Sequence, residues 1–316
     1  MKKPAFLVDA FTTKMFKGNP AGVCLFEQAL PAEQCIQIAA EFNASNTGFP
    51  VPAEEGKDFR TASIFDLRWF TPTTEVPLCG HATLATSHVL LNGIGNINST
   101  LTFRTFSGEL IVQKGEAGAI EMNFPQYKVQ SMKVEHHENQ FLDEFPVIEE
   151  PFPLKDFLNA MIPTEYPITG VLYAPVAKIL IIVLDGILSR AEFERIERNT
   201  ELIKENSDEE HIRGVLLTMA PKNEVEQGFV DENDAPFDYL CRYFAPYYGL
   251  VEDPATGSAQ CALAPFWSRI LKKSEFYALQ AYPGRGAQFR LKLEDGGRLS
   301  IIGNSVTVLS GQINID

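Results

Sequence analysis

The sequence predicts an α+β protein built from two copies of one unit, and three observations carry that expectation. Glu75-Val-Pro-Leu-Cys-Gly-His-Ala-Thr-Leu-Ala85 and Glu252-Asp-Pro-Ala-Thr-Gly-Ser-Ala-Gln-Cys-Ala262 share Glu, Pro, Gly and two Ala at matching positions. Arg68-Trp-Phe-Thr-Pro72 precedes the first box, and Arg242-Tyr-Phe-Ala-Pro246 precedes the second. Each box is followed by an apolar helical pattern and then by strand-rich sequence. Self-similarity in fixed order marks a repeated structural unit.

The elements follow in chain order. "AFLVDAFTTKMFKGNPAGVCLF" reads as strand, turn and strand, with Gly18-Asn19-Pro20 at the turn. Residues 31–43 read as a helix: Pro31 suits a first turn, and Cys35, Ile38, Ala39 and Phe42 recur at helical spacing. "FDLRWFTP" is a strand stopped by Pro72, and residues 80–91 form an apolar helix starting at Gly80. "TLTFRTFSGELIVQK" and "AIEMNF" are strands. The charged, proline-broken stretch 127–153 reads as a connection, which divides the chain into a first half, 1–126, and a second, 154–316. The C-terminal strand is a candidate to complete the first half. After the connection come a short helix (154–162), strands around 168–184 and a helix from about 190. Ser189 and Glu192 make a capping box for that helix. The strand "GVLLTMA", then "FDYLCRYFAP", an apolar helix after Gly257 and a run of strands finish the chain.

Composition sets outer bounds. The chain has 316 residues, 45% hydrophobic and 22% charged, long enough for one large domain or two smaller ones. No apolar run reaches the roughly 18 residues of a membrane span, and the apolar stretch after Met1 is too short for a secretion signal. The expected location is cytoplasmic. Five cysteines without paired spacing are expected to be reduced there. A net charge of −14 argues against nucleic acid and against anionic membrane as partners. An anionic substrate would need local backbone donors to hold it.

The twin boxes supply such donors. A glycine at a strand-to-helix corner lets a ligand approach the backbone. The first N–H groups of a helix have no internal partner, and the helix dipole adds to their pull on a carboxylate. Two such starts pointing into one interdomain cleft would grip a small acidic molecule. Beside them stand Cys79 and His81 in one box, and Asp253, Thr256 and Ser258 in the other. His81 at a helix start is expected to be neutral, able to hydrogen-bond a substrate or pass a proton. Cys79 by the same dipole is a candidate partial thiolate. Plain structural roles stand beside these with about equal weight: Asp253 as an N-cap, Cys79 as a small buried hydrophobe, and His81 as a helix-start residue.

The chain resembles the phenazine-biosynthesis (PhzF-like) isomerase family of the diaminopimelate-epimerase-like fold, closest to its eukaryotic phenazine biosynthesis-like domain-containing branch. "DAFTTKMFKGNPAGVCLF", "LRWFTPTTEVPLCGHATLA", "STLTFRTFSGEL", "RYFAPYYGLVEDPATGSA" and "SVTVLSG" carry the resemblance over nearly the whole chain. It implies two pseudo-symmetric half-barrel domains, each a curved sheet around a central helix. It also implies a homodimer, no metal or organic cofactor, and proton transfer at a carbon of a small acidic metabolite. Carried over by position, the site comprises Ser45, Asn46, Gly80, His81, Asp253, Gly257 and Ser258, with Asn19 lining the pocket. The glycines and serines would bind the carboxylate, and His81 and Asp253 would steer protons.

One position departs from the family's pattern. Its Asn-Leu-Ser-Glu-Thr, whose Glu is the general acid/base, is here Asn-Ala-Ser-Asn-Thr, with Asn46 in the Glu position. An amide does not shuttle protons. Three outcomes follow: Cys79 or His81 acts as the base, Asn46 binds substrate in an altered enzyme, or the protein is a non-catalytic binding or interaction module. Gln260 stands where relatives often carry His, and Thr256 opposite Cys79 argues against a two-thiol racemase. His136-His137-Glu138 reads as solvated loop rather than metal site, and His88 as a core or interface histidine.

Overall fold

The computed structural model describes residues 1–134, 139–149, 154–162, 165–197, 199–207, 209–248 and 250–315. The chain divides into two compact units. Unit 1 is Met1–Phe124 with Ala287–Phe289 and Ser300–Asp316, and unit 2 is Pro125–Gly286 with Arg290–Leu299.

Unit 1 runs β1 (Lys2–Ala10), β2 (Asn19–Cys24), α1 (Ala32–Phe42), β3 (Asn46–Pro52), β4 (Ile64–Phe70), β5 (Glu75–Val76), α2 (Gly80–His88), β6 (Thr100–Thr105), β7 (Gly108–Lys114) and β8 (Ile120–Pro125). In unit 2 come β9 (Gln130–Met132), β10 (Val147–Ile148), α3 (Leu154–Met161), β11 (Ile168–Ala174), β12 (Ile179–Leu184), α4 (Arg190–Arg195), α5 (Thr200–Asn206), β13 (Gly214–Met219), β14 (Tyr239–Ala245), β15 (Leu250–Asp253), α6 (Gly257–Leu271) and β16 (Glu275–Gln280). The chain then passes through β17 (Ala287–Glu294) and β18 (Arg298–Gly303) and ends in β19 (Ser305–Asn314), which belongs to unit 1.

The repeat seen in the sequence is a repeat of topology. In unit 1, β1/β2 are antiparallel, β2/β3 parallel, β3/β4 antiparallel and β4/β6 parallel, with β5 turned back on β4. In unit 2, β11/β12 are antiparallel, β12/β13 parallel, β13/β14 antiparallel and β14/β16 parallel, with β15 turned back on β14. The box helix, α2 or α6, follows β5 or β15 and precedes the parallel strand. The fold is α+β and diaminopimelate-epimerase-like, each half a curved sheet around a central helix. β19 pairs antiparallel with β1, from Lys2 facing Asn314 to Ala10 facing Ser305.

Burial explains the helix compositions. Helix α2 packs against β1, β2, β3 and β19, and His81 through Ser87 are all buried. A buried helix carrying Thr83, Thr86 and Ser87 needs partners for three hydroxyls. Each donates to the carbonyl four residues back: Thr83 to Cys79 at 2.6 Å, Thr86 to Ala82 at 2.7 Å, and Ser87 to Thr83 at 2.7 Å. Strand β3 approaches this helix at Gly48, where a Cβ would lie 2.5 Å from Thr86 Oγ1. The helix expected over 80–91 continues past His88 as a single wider turn, Val89–Ile94.

The other expected elements are present, with additions. The capping box at Ser189 is made in both directions. The segment 127–153 supplies β9 and β10 to unit 2, where β9 pairs with β11. Short strands β5, β15 and β3, and helix α5, carry too little periodicity to announce themselves. In unit 2, Trp267 of α6 donates to Thr218 of β13 at 3.0 Å, and Phe266 stacks edge-on with Phe141. The all-apolar β12 is buried along its whole length, as a strand covered on both faces should be. Among the described residues no helix is long and apolar enough to cross a membrane.

Candidate active site

The first box sits in unit 1, fixed by an arginine. Strand β4 ends in Arg68-Trp-Phe, and Arg68 grips Glu75 of β5 through two parallel hydrogen bonds of 2.7 Å each. Its remaining nitrogen donates to the carbonyl of Leu30, just before α1. The matched letters of the second box do the same in unit 2. Arg242 binds Glu252 at 2.7 and 2.9 Å, and its remaining nitrogen donates to the carbonyls of Phe193, Glu194 and Ile196. In both units the guanidinium lies over the phenylalanine two residues on, Phe70 or Phe244. The Arg and Glu of each repeat are thus partners that brace the corner from which the box helix springs.

At the unit 1 corner, Cys79 is the extended N-cap residue of α2 and makes no side-chain cap; no carboxylate stands in the first turn. No side chain at the N-cap position takes up the first-turn N–H groups. Four side chains form a chain beside it. Cys79 Sγ lies 3.4 Å from His81 Nδ1, His81 Nε2 lies 3.0 Å from Ser45 Oγ, and Ser45 Oγ lies 3.1 Å from Asn19 Oδ1. One assignment of hydrogens satisfies every link: the thiol donates to Nδ1, Nε2–H donates to Ser45, and Ser45 donates to Asn19. Burial lowers the His81 pKa from its ordinary 6.5 to about 3, so the ring is neutral at physiological pH. The expected neutrality holds, and its cause is desolvation.

Cys79 differs from the other thiols in its surroundings. Cys24, Cys241 and Cys261 are pushed up to about 12 by burial, and Cys35 to about 11, which makes them inert. Cys79 is buried too, but at a helix start with an imidazole against its sulfur. Asn46, the first residue of β3, is 8% exposed, and its Oδ1 has no hydrogen-bond partner among the described residues.

At the unit 2 corner, Asp253 is not the N-cap of α6; that residue is Thr256, again without a side-chain cap. Thr256 Oγ1 instead donates to Asp253 Oδ2 at 2.5 Å. Gln280, at the end of β16, locks the turn: it accepts from Thr256 N at 2.7 Å and donates to the Asp253 carbonyl at 2.5 Å and to Thr256 Oγ1 at 3.1 Å. Nothing in the sequence marked Gln280, the polar residue that closes β16. Gly257 is buried and Ser258 half-buried in the first turn of α6. Gln260 faces the core of its unit, accepting from Tyr239 Oη at 2.7 Å. His88 pairs with Thr307 and Asn92, away from the Cys79–His81 chain. His136, His137 and Glu138 lie outside the described residues.

The profile of the family described as phenazine biosynthesis-like protein matches residues 8–145 and 188–311. A phenazine biosynthesis-like domain-containing protein of Bos taurus is 38% identical over 313 residues, covering 99% of each chain. An uncharacterized isomerase of Halalkalibacterium halodurans is 33% identical, again over 99% of each chain. The crystal structure of a phenazine biosynthesis protein of the PhzF family from Enterococcus faecalis matches with a TM-score of 0.78 at 28% identity, over the full length of both chains. Both braced corners fall within the residues matched by the family profile, and the chain belongs to the phenazine biosynthesis-like (PhzF) family.

Proposed function

We propose that this protein is a cofactor-independent isomerase that moves a proton on a small carboxylated metabolite, acting as a cytoplasmic homodimer. The observation that carries the reading is the Cys79–His81–Ser45–Asn19 chain at an α2 start with no side-chain cap. The substrate carboxylate is held by the first-turn N–H groups, with Gly80, Gly257 and Ser258 allowing and supporting its approach. Ser45 and Asn19 orient His81. Asp253, held by Thr256 and Gln280, orients the substrate.

Asn46 does not titrate, so the proton carrier in this reading is Cys79. A bound carboxylate beside His81 favours the imidazolium. The thiol proton then passes from Cys79 Sγ to His81 Nδ1, leaving a thiolate. That thiolate takes a proton from a substrate carbon adjacent to an activating carbonyl. The sulfur-bound proton, which exchanges with solvent through the thiol, is delivered to a different carbon on the same face, and sulfur and imidazole recover their starting states. Asn46 also favours a second reading, a family member that binds such an acid without turning it over.

Solvent-deuterium incorporation into a panel of small carboxylic acids, followed by NMR, separates the two. The expected result is exchange in wild type that falls about 100-fold or more in Cys79→Ala, His81→Ala and Asp253→Ala. Absence of exchange in both wild type and Asn46→Glu would leave the binding reading in place.

A further inference from the structure

Strand β19 turns half of its backbone groups away from its partner. From Leu309 opposite Leu7 to Asn314 opposite Lys2 it pairs with β1 in unbroken register. A residue of an antiparallel strand sends its N–H and C=O to one neighbour, and the next residue sends them to the other. Two contacts fix the phase. The Pro4 carbonyl of β1 accepts from Leu25 N, beside β2, and Met1 and Ile315 exchange backbone hydrogen bonds. The odd residues of β1 therefore face β19, and Leu309, Gly311 and Ile313 answer them. Ser310 and Gln312 turn their N–H and C=O outward. Leu309, Ser310, Gly311 and Gln312 are exposed without a break, so both faces of this edge meet solvent.

Exposed strand edges are usually guarded by charge, by proline or by shortness. Strand β19 has 10 residues, and neither a charged residue nor a proline stands between Arg298 and Asp316. In a chain of net charge −14, an uncharged strip is where two copies approach with least repulsion. The strip is also self-complementary. With a two-fold axis at Gly311, the outward groups of Ser310 meet those of the partner's Gln312, and the reverse. Leu309, 54% exposed, lies across from the partner's Ile313, on the face where Ile313 packs against the cluster of Ala5, Cys24 and Cys35. The two glycines meet where the strands run closest. We propose that β19 is the seam between two copies of this chain, its edge paired antiparallel with itself about Gly311. The inference rests on the homodimer reading and adds the face and the register.

A cross-link tests the register. A Cβ at Gly311 meets nothing within 4 Å in the single chain. Opposed residues of a non-bonded antiparallel pair stand about 4.5 Å apart at Cα, within reach of a disulfide. The native cysteines are all buried. Under oxidised glutathione, Gly311→Cys is expected to give a covalent dimer on a non-reducing gel about tenfold faster than Ser310→Cys, which faces the partner's Gln312 rather than itself. Sedimentation over roughly 1–100 μM measures the dimer itself. Gln312→Pro removes an outward N–H and leaves the ladder to β1 intact, and Leu309→Lys sets a charge on the seam. Symmetry applies each change twice, so each is expected to weaken the dimer about tenfold or more, with Trp69 emission in denaturant showing that unit 1 stays folded. Where a variant unfolds, the cross-link decides. Wild-type dimerisation in both folded variants, or a Gly311→Cys cross-link no faster than that of Ser310→Cys, overturns the inference and leaves the homodimer reading standing. A wild type that is monomeric at every concentration removes both.

Discussion

The two corners are built to one plan with different materials. Both use an arginine near the end of a strand to clamp a glutamate in the following short strand, and both release, after a proline, a helix that begins at a glycine and has no side-chain cap. In unit 1 the pair is partly open, with side-chain exposures of 28% for Arg68 and 22% for Glu75. In unit 2 the pair is sealed, at 0% for Arg242 and 1% for Glu252. The chemistry differs in parallel. The unit 1 corner carries a thiol and a neutral imidazole, and the unit 2 corner a carboxylate that accepts from a threonine hydroxyl, with a glutamine amide locking the backbone of the turn. The plan fixes where backbone donors point, and the side chains on it are free to diverge.

The sharpest way to break the parallel is to remove each arginine. Arg242→Ala strands Glu252 in the interior and deprives three carbonyls of their donor, so it is expected to cost about 3–5 kcal/mol. Arg68→Ala, at a solvated pair, is expected to cost about 1 kcal/mol. The two tryptophans give each unit its own fluorescent reporter, Trp69 in unit 1 and Trp267 in unit 2. Single-tryptophan variants in denaturant therefore read the two losses separately. Equal losses would show that burial of the pair does not set its worth.

A smaller effect sharpens the contrast at the turns. Gln280→Leu leaves the Thr256 amide and the Asp253 carbonyl without their partner and is expected to destabilise by about 1–3 kcal/mol, read by Trp267. The same substitution should loosen Asp253, seen as accelerated amide exchange through residues 253–256, with no change at Cys79–His81.

The third prediction concerns acid. The folded chain keeps His81 unprotonated down to about pH 3, whereas the unfolded chain protonates it near its ordinary 6.5. Between those values the unfolded state binds more protons, so stability falls as pH falls. The contribution is complete above about 6.5 and declines toward pH 3, at up to about 1.4 kcal/mol per pH unit. The difference between wild type and His81→Asn, followed by Trp69 from pH 7 to 4, isolates this slope. A pH-independent difference would mean that His81 takes up its proton at the same pH in the folded and unfolded chains.

Much of this was legible in the residues. The doubled box predicted the repeat, because glycine and proline at a strand-to-helix corner are backbone requirements that survive divergence. The apolar helices and long strands followed from periodicity. Arg68, Glu75, Arg242 and Glu252 were visible as matching letters but not as partners, since ion pairing between strands leaves no mark on local spacing. The role of Gln280 depends on a strand that returns 24 residues after the turn it locks. Asn46 stood out only by comparison with the family's glutamate. Its unpaired oxygen is a property of the packed interior, where no neighbour reaches it.

The pairing of β1 with β19 has a consequence for how the chain is made. Strand β1 leaves the ribosome first, yet its partner lies at residues 305–314 and is synthesised last. Unit 2 draws all its residues from 125–299, so its chain is complete before that of unit 1. Domains usually fold in the order in which they emerge. Here the half that emerges first holds one open sheet edge, and the Cys79–His81 corner built upon it, in waiting until the final strand arrives.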